Sequence, residues 1–345
     1  MTGILHWSRA ERVSATRMLS AAIGLAVPVV VGATACYTAE GMTAALGALA
    51  MAEVGDNGSA AQRVADMLRC LAAVFAAVLI GTFVTRAGTA GALAMIAAAA
   101  LASAFGSTGR DAAKAGMKFT IFMALATFAR WPEDDAWRMV IFFTAGALWA
   151  GVVPLAIGAA LHVFGRADDT AATAPARGAH LSWAERLVRA ASRREAWSYT
   201  ARLVTALAVA LAIRLAWASP HSYWIVVTAV LVVSRATAGT HVRALQRALG
   251  TMAGVVVGTA LLAARAPTWA VLAAIALIAG VRPLLKVRNY LAYSAVMTPL
   301  VVMLLEFGHP FEPAIMVERL LATLAGCAIA MAADFVAPAA PKSRA

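Results

Sequence analysis

Charged side chains inside apolar runs are the groups in this sequence best placed to do chemistry. Arg214 sits in the stretch LAIRLAW. A charge at the centre of a membrane helix costs about 2.5–3.5 kcal/mol on insertion scales. Arg214 therefore either faces a bundle interior or aqueous cavity, or snorkels to a nearby surface, and Pro220 a few residues on keeps the second reading open. His221, Tyr223 and Trp224 follow directly. A guanidinium beside aromatic faces suits a planar aromatic carboxylate, the fork taking the carboxylate and the rings taking the ring. The same aromatics also fit an interfacial belt. Arg319, in ERLLATLAG, is a second cation able to attract anions, while Tyr290, Tyr293 and Thr298 offer hydrogen bonds in a later apolar run. Asp334 is the matching acid near the end of the last apolar run. It either pairs with Arg202 or carries a coupling proton.

These residues lie in a chain of 345 residues that is 62% hydrophobic and 13% charged, with a mean hydropathy of +0.79. Soluble domains carry about 25% charge, so the composition is that of an integral membrane protein whose surface meets lipid. Twelve apolar segments can be drawn, at 18–36, 41–54, 70–85, 89–105, 115–129, 136–164, 200–217, 221–234, 248–264, 267–281, 289–305 and 314–336. The second, eighth and tenth are shorter than the roughly 20 residues a crossing needs, which leaves re-entrant hairpins as an alternative for them. Charge favours crossings. With all twelve spanning and the N-terminus inside, most of the 29 Lys and Arg residues fall on the cytoplasmic side. The net charge of +12 is therefore read as topology, and its scatter between apolar runs excludes a nucleic-acid surface.

The expected fold is all-α, with about twelve transmembrane helices in two parallel six-helix repeats. Residues Arg17–Gly81 and Arg202–Gly258 share one layout: a basic start, a long span, a short span, a basic loop and a small-residue span. WRMVIFFTAGALWAG corresponds to ERLLATLAGCAIA, pairing Arg138 with Arg319 and Gly146 with Gly326 at a shift of about 180–185. An even number of spans per half makes the repeat parallel, an arrangement found in transporters. The resulting division is a cytoplasmic segment at 1–16, a first repeat at 17–165, a linker at 166–199, a second repeat at 200–337 and a tail at 338–345. Within the linker, Ser182 and Glu185 form a capping box, and LSWAERLVRAASRR has the spacing of a basic amphipathic helix on the inner leaflet.

Enzyme chemistry has no footing. No histidine pair has metal-ligand spacing, Cys36, Cys70 and Cys327 are far apart, and Glu133, Asp134 and Asp135 are adjacent rather than spaced along one helical face. Phosphate-binding and nucleophile motifs are absent. No cofactor and no metal are expected, and transport would be gradient-driven or passive.

YWIVVTAVLVV followed by HVRALQRALGTMAGVVVG resembles the signature of the fusaric acid resistance family, also called the aromatic acid exporter family. Its R-x-x-Q-R-x-x-G-T loop is carried here by Arg243, Gln246, Arg247, Gly250 and Thr251, and Gly254 and Gly258 continue the small-residue strip. NYLAYSAVMTPLVVML and ERLLATLAGCAIAMAADFV resemble the rest of that module. The resemblance implies a bacterial inner-membrane protein that exports aromatic or other amphipathic organic anions, with lipid and the anion as partners and a periplasmic adaptor beside it. A distant link to dimeric plant malate channels implies a homodimer and keeps a passive anion channel open; a non-transport scaffold is the third reading. Long exporters of the family carry a large soluble cytoplasmic region, whereas about 35 residues join the halves here.

Overall fold

A computed structural model describes residues 7, 13–52, 54, 60–84, 88–128, 136–163, 185, 188–189, 192–217, 219, 221–233, 237–264, 266–306 and 313–336. These contain twelve α-helices and no strand. They are α1 (Ala15–Thr34), α2 (Thr38–Ala50), α3 (Ala60–Val84), α4 (Gly88–Gly106), α5 (Arg110–Phe128), α6 (Ala136–Val163), α7 (Arg194–Ala216), α8 (Tyr223–Val232), α9 (Thr237–Ala263), α10 (Thr268–Arg288), α11 (Tyr290–Glu306) and α12 (Pro313–Val336). Eight are long and apolar enough to cross a membrane: α1, α3, α4, α6, α7, α9, α10 and α12. Leu93, Leu101 and Leu277 point outward on such helices, each more than two-thirds exposed. Large apolar side chains arrayed this way match a lipid-facing surface. The proposed linker helix, the acidic trio 133–135 and the tail from 338 lie outside the described residues, apart from a few positions of the linker.

Three sequence expectations change in detail. The tenth segment is not short, since α10 continues past the apolar run through Arg282, Pro283 and Lys286 to Arg288 and reaches 21 residues. The short helices are instead α2, α8 and, at 17 residues, α11. The basic motif of Arg243, Gln246 and Arg247 is no loop: it forms early turns of α9, continuous with the glycine strip. Arg243, Gln246, Arg247 and Gly250 are spaced i, i+3, i+4 and i+7, so they share one helical face.

The chain folds into two compact units. Unit 1 takes Met1–Phe75, Trp131–Ala176 and Leu249–Met316. Its centre is α2, ten of whose thirteen residues are buried, Glu40 and Thr43 among them. A three-residue turn through Cys36, at φ 62°, folds α2 back on α1. The two helices then touch backbone to backbone: a Cβ on Gly32 would lie 2.6 Å from the Gly41 Cα. On its other side α2 meets α6, where a Cβ on Gly146 would lie 1.8 Å from the Ala44 carbonyl oxygen. Helix α10 packs on α1 and α11. The small-residue strip of α9 packs on α11, where a Cβ on Gly250 would meet the Leu291 oxygen at 2.6 Å and one on Gly254 the Ala295 oxygen at 2.4 Å. Small residues at this spacing let backbones approach closely.

Unit 2 takes Ala76–Arg130, Arg177–Ala248 and Val317–Ala345. Its centre is α8, with nine of ten residues buried. Helices α5 and α7 pack against α8, α4 packs on both α5 and α7, and Ser103 on α4 shares a 2.9 Å hydrogen bond with Thr200 on α7. Gly326 on α12 lies over α8, where a Cβ would meet the Ile225 oxygen at 2.8 Å and the Thr228 Cβ at 2.7 Å.

Candidate functional site

Unit 2 carries the ionic groups that the sequence placed inside apolar runs, and α12 bears them towards both ends. Its beginning meets the start of α8. A ring cluster forms there because α8 opens with adjacent aromatics: the Tyr223 and Trp224 centroids are 4.9 Å apart, and His221 and Tyr223 are 6.5 Å apart. Arg319, 2% exposed, lays its guanidinium 3.7 Å from the Trp224 ring centroid. Such a contact is worth about 2 kcal/mol or more when desolvated. His221 Nδ1 and Glu318 Oε2 lie 2.7 Å apart beside it. The site therefore alternates acid, base and ring. The cation is held by an aromatic face, and the acid is held by an imidazole.

About fifteen residues further along α12, roughly 23 Å at 1.5 Å per residue, Asp334 accepts a 2.8 Å hydrogen bond from Arg202 Nη1 on α7. The pair is buried, with side-chain exposures of 0% for Arg202 and 3% for Asp334. Arg202 Nε also donates to the Ser198 carbonyl oxygen at 3.3 Å. The second carboxylate oxygen of Asp334 lies 3.8 Å from His241 Nε2 on α9, a side chain 49% exposed. A buried acid is thus compensated by one buried cation, with a half-exposed imidazole between it and the surface.

The structure gathers His221, Tyr223, Trp224 and Arg319 into one cluster. Arg214 lies half-buried in the last turn of α7. Tyr293 belongs to unit 1, where it stacks on Tyr290 at 5.8 Å and lies 5.9 Å from Lys286 Nζ. Thr298 is fully buried and donates to the Ser294 oxygen at 3.1 Å, which makes it a packing residue of α11. In the motif face of α9, Gln246 and Arg247 are buried and Arg243 is exposed, while Thr251 is buried beside the glycine strip. Gly258 would place a Cβ 3.1 Å from the Met316 methyl. Nothing in the sequence around Glu318 or His241 marks either as a site residue. Glu318 stands 97 residues from its histidine, a separation that no local spacing announces.

Among the described residues no group of three or more His, Cys, Asp and Glu is placed to hold a metal ion. A cavity lined by Ser103, Gly116, Thr120, Tyr199, Leu203 and Val230 measures about 10 Å³, room for about one water molecule.

Helices of this length and composition define a multi-pass membrane protein with buried ionic groups in its spans. Residues 204–333 match the family described as fusaric acid resistance protein-like. That stretch runs from α7 to α12 and holds the ring cluster, the α9 motif and the glycine strip, so the resemblance drawn from those residues is borne out there. No curated protein and no solved structure matches the chain.

Proposed function

We propose that the protein is a gradient-driven transporter of the bacterial inner membrane that exports aromatic or other amphipathic organic anions. The observation that carries this reading is the stacked Arg319–Trp224 pair beside His221 and Tyr223, inside the segment that matches the family. A guanidinium with aromatic faces is the chemistry that recognises an aromatic carboxylate. Arg214, half-buried in the same unit, is the further cation assigned to the anion path, and Asp334 is the candidate for proton coupling. Both termini face the cytoplasm in this reading, which places the basic residues inside.

The architecture proposed is two parallel six-helix repeats, 17–165 and 200–337, with all twelve helices crossing. The internal geometry of the two units supports the repeat. In unit 1 a glycine of α6 lies over a carbonyl of α2, and in unit 2 a glycine of α12 lies over a carbonyl of α8. Arg138 on α6 forms a salt bridge with Glu40 on α2. The shift that brings Arg138 onto Arg319 brings Glu40 onto His221, a member of the Arg319 cluster.

The test is uptake of labelled 4-hydroxybenzoate into inside-out proteoliposomes, with and without an imposed pH gradient, alongside Arg319→Ala and Arg214→Ala. Gradient-dependent accumulation that the variants lose is the expected result. Unchanged transport after the gradient is collapsed refutes proton coupling. A passive organic-anion channel is the second reading, favoured by the commitment of Asp334 to Arg202. It would give gradient-independent equilibration instead.

A further inference from the structure

One end of unit 1 holds a buried arginine that no carboxylate among the described residues neutralises. Arg282 is 4% exposed and continues the buried stripe of Ile275 and Ala279 on α10. Its Nε is buried without a hydrogen bond, and no carboxylate among the described residues pairs with it. The two carboxylates of unit 1 whose side chains are described are engaged elsewhere, Glu40 by Arg138 and Asp66 by Arg69. A buried guanidinium is ordinarily paired, because desolvation without a partner is costly.

Its surroundings add to the positive potential. Two residues earlier, Gly280 lies against α1, where a Cβ would be 3.3 Å from the Ala22 Cβ and 3.5 Å from the Met18 oxygen. Arg282 is therefore level with the first turns of α1, near the positive end of that helix. Lys286 follows one turn later on the same stripe, exposed, with Nζ 5.9 Å from the Tyr293 centroid. Tyr293 and Tyr290, both half-buried, stack at 5.8 Å with 30° between planes. A buried cation, an outer cation and a pair of rings thus follow one another from the interior to the surface.

We propose that this end of unit 1 is a binding site for an aromatic carboxylate, with the Arg282 fork taking the carboxylate, Lys286 guarding the mouth, and Tyr290 and Tyr293 flanking the ring. The site is distinct from the Arg319 cluster, and it rests on the organic-anion reading given above. The guanidinium supplies two parallel N–H donors to one carboxylate, and the tyrosine faces favour a flat ring over a saturated one.

The experiment uses the purified full-length chain in detergent micelles, with benzoate, cyclohexanecarboxylate and sulfate as probes. Thermal unfolding and equilibrium binding are read for the wild type and for Arg282→Met, Lys286→Gln and Tyr293→Leu. Benzoate should raise the wild-type Tm by mass action. Arg282→Met should abolish that shift and weaken binding about tenfold or more. Its Tm without ligand should equal or exceed that of the wild type, because the residue removed has no ion pair to lose. Lys286→Gln, an exposed change that does not threaten folding, should weaken binding about threefold. Tyr293→Leu should erase the preference for benzoate over cyclohexanecarboxylate. Benzoate binding that is unchanged in Arg282→Met and Lys286→Gln overturns the site. So does sulfate binding as tightly as benzoate in both the wild type and Tyr293→Leu. Wild-type transport rates in Arg282→Met and Lys286→Gln would sink this site and leave the transport reading standing. Benzoate binding that depends on Arg282, with no transport by the wild type, would do the reverse.

Discussion

Replacing Asp334 with asparagine keeps the size of the side chain and removes the negative half of a pair whose members are 0% and 3% exposed. Arg202 would then keep its 3.3 Å bond to the Ser198 carbonyl but lose its buried counter-charge. Breaking one side of a buried pair costs about 3–5 kcal/mol. The surviving carbonyl contact puts the expected loss near the lower limit, about 3 kcal/mol. Arg202→Met should cost a similar amount by stranding the carboxylate. The double variant Arg202→Met/Asp334→Asn leaves no uncompensated charge and should cost no more than either single variant, about 3 kcal/mol, which gives a coupling energy of about 3 kcal/mol or more. His241→Ala is the control: its half-exposed contact to Asp334 at 3.8 Å should be worth under about 1 kcal/mol. The assay is reversible unfolding in mixed micelles, read by tryptophan fluorescence for the wild type and the four variants. Additive losses, with coupling below about 0.5 kcal/mol, would refute the reasoning and free Asp334 for proton exchange.

The glycine contacts give a paired prediction on α6. Gly146→Ala drives a Cβ to 1.8 Å from the Ala44 oxygen and should cost about 3 kcal/mol or more. Gly158→Ala, with nothing within 4 Å, should stabilise the helix by about 0.5–1 kcal/mol. Monodisperse yield and melting temperature separate the two. Trp224→Leu removes the ring beneath Arg319 and should cost about 2 kcal/mol, whereas Trp224→Phe should retain part of that, as thermal unfolding would show. Glu318→Gln should weaken the contact with His221 and reduce stability by about 1–2 kcal/mol, an effect that should vanish when His221 is already alanine.

Much of the helical framework is legible in the residues. The apolar runs mark the helices, and the small residues of GTMAGVVVG announce close packing, which they make against α11. Asp334 and Arg202 could be paired because a lone acid at one span end and a lone base at another must be neutralised when buried. Boundaries failed where polarity and helicity part company. Arg243–Arg247 read as a loop because basic residues look like connections, yet Arg, Gln and Leu are good helix formers and α9 runs through them. Arg282, at the end of an apolar run, looks in the sequence like any other topology-setting cation. Only the structure shows it buried, because an arginine at a span end can either snorkel or turn inward, and the neighbouring helix decides. His221 and Glu318 meet through tertiary packing alone.

Each unit draws its helices from both halves of the chain: α1, α2 and α6 join α10 and α11, while α7, α8 and α12 join α4 and α5. This exchange sets a clock on biogenesis. When α2 leaves the ribosome, its partner α11 lies roughly 240 residues downstream, tens of seconds away at about 5–20 residues per second. Helices α1 and α4 must wait in the bilayer for α10 and α7, their partners from the second half, and neither unit can close until the chain is nearly complete. A nascent protein stalled between α6 and α7 would therefore carry two half-built units rather than one finished one, and membrane proteases would meet it in that state.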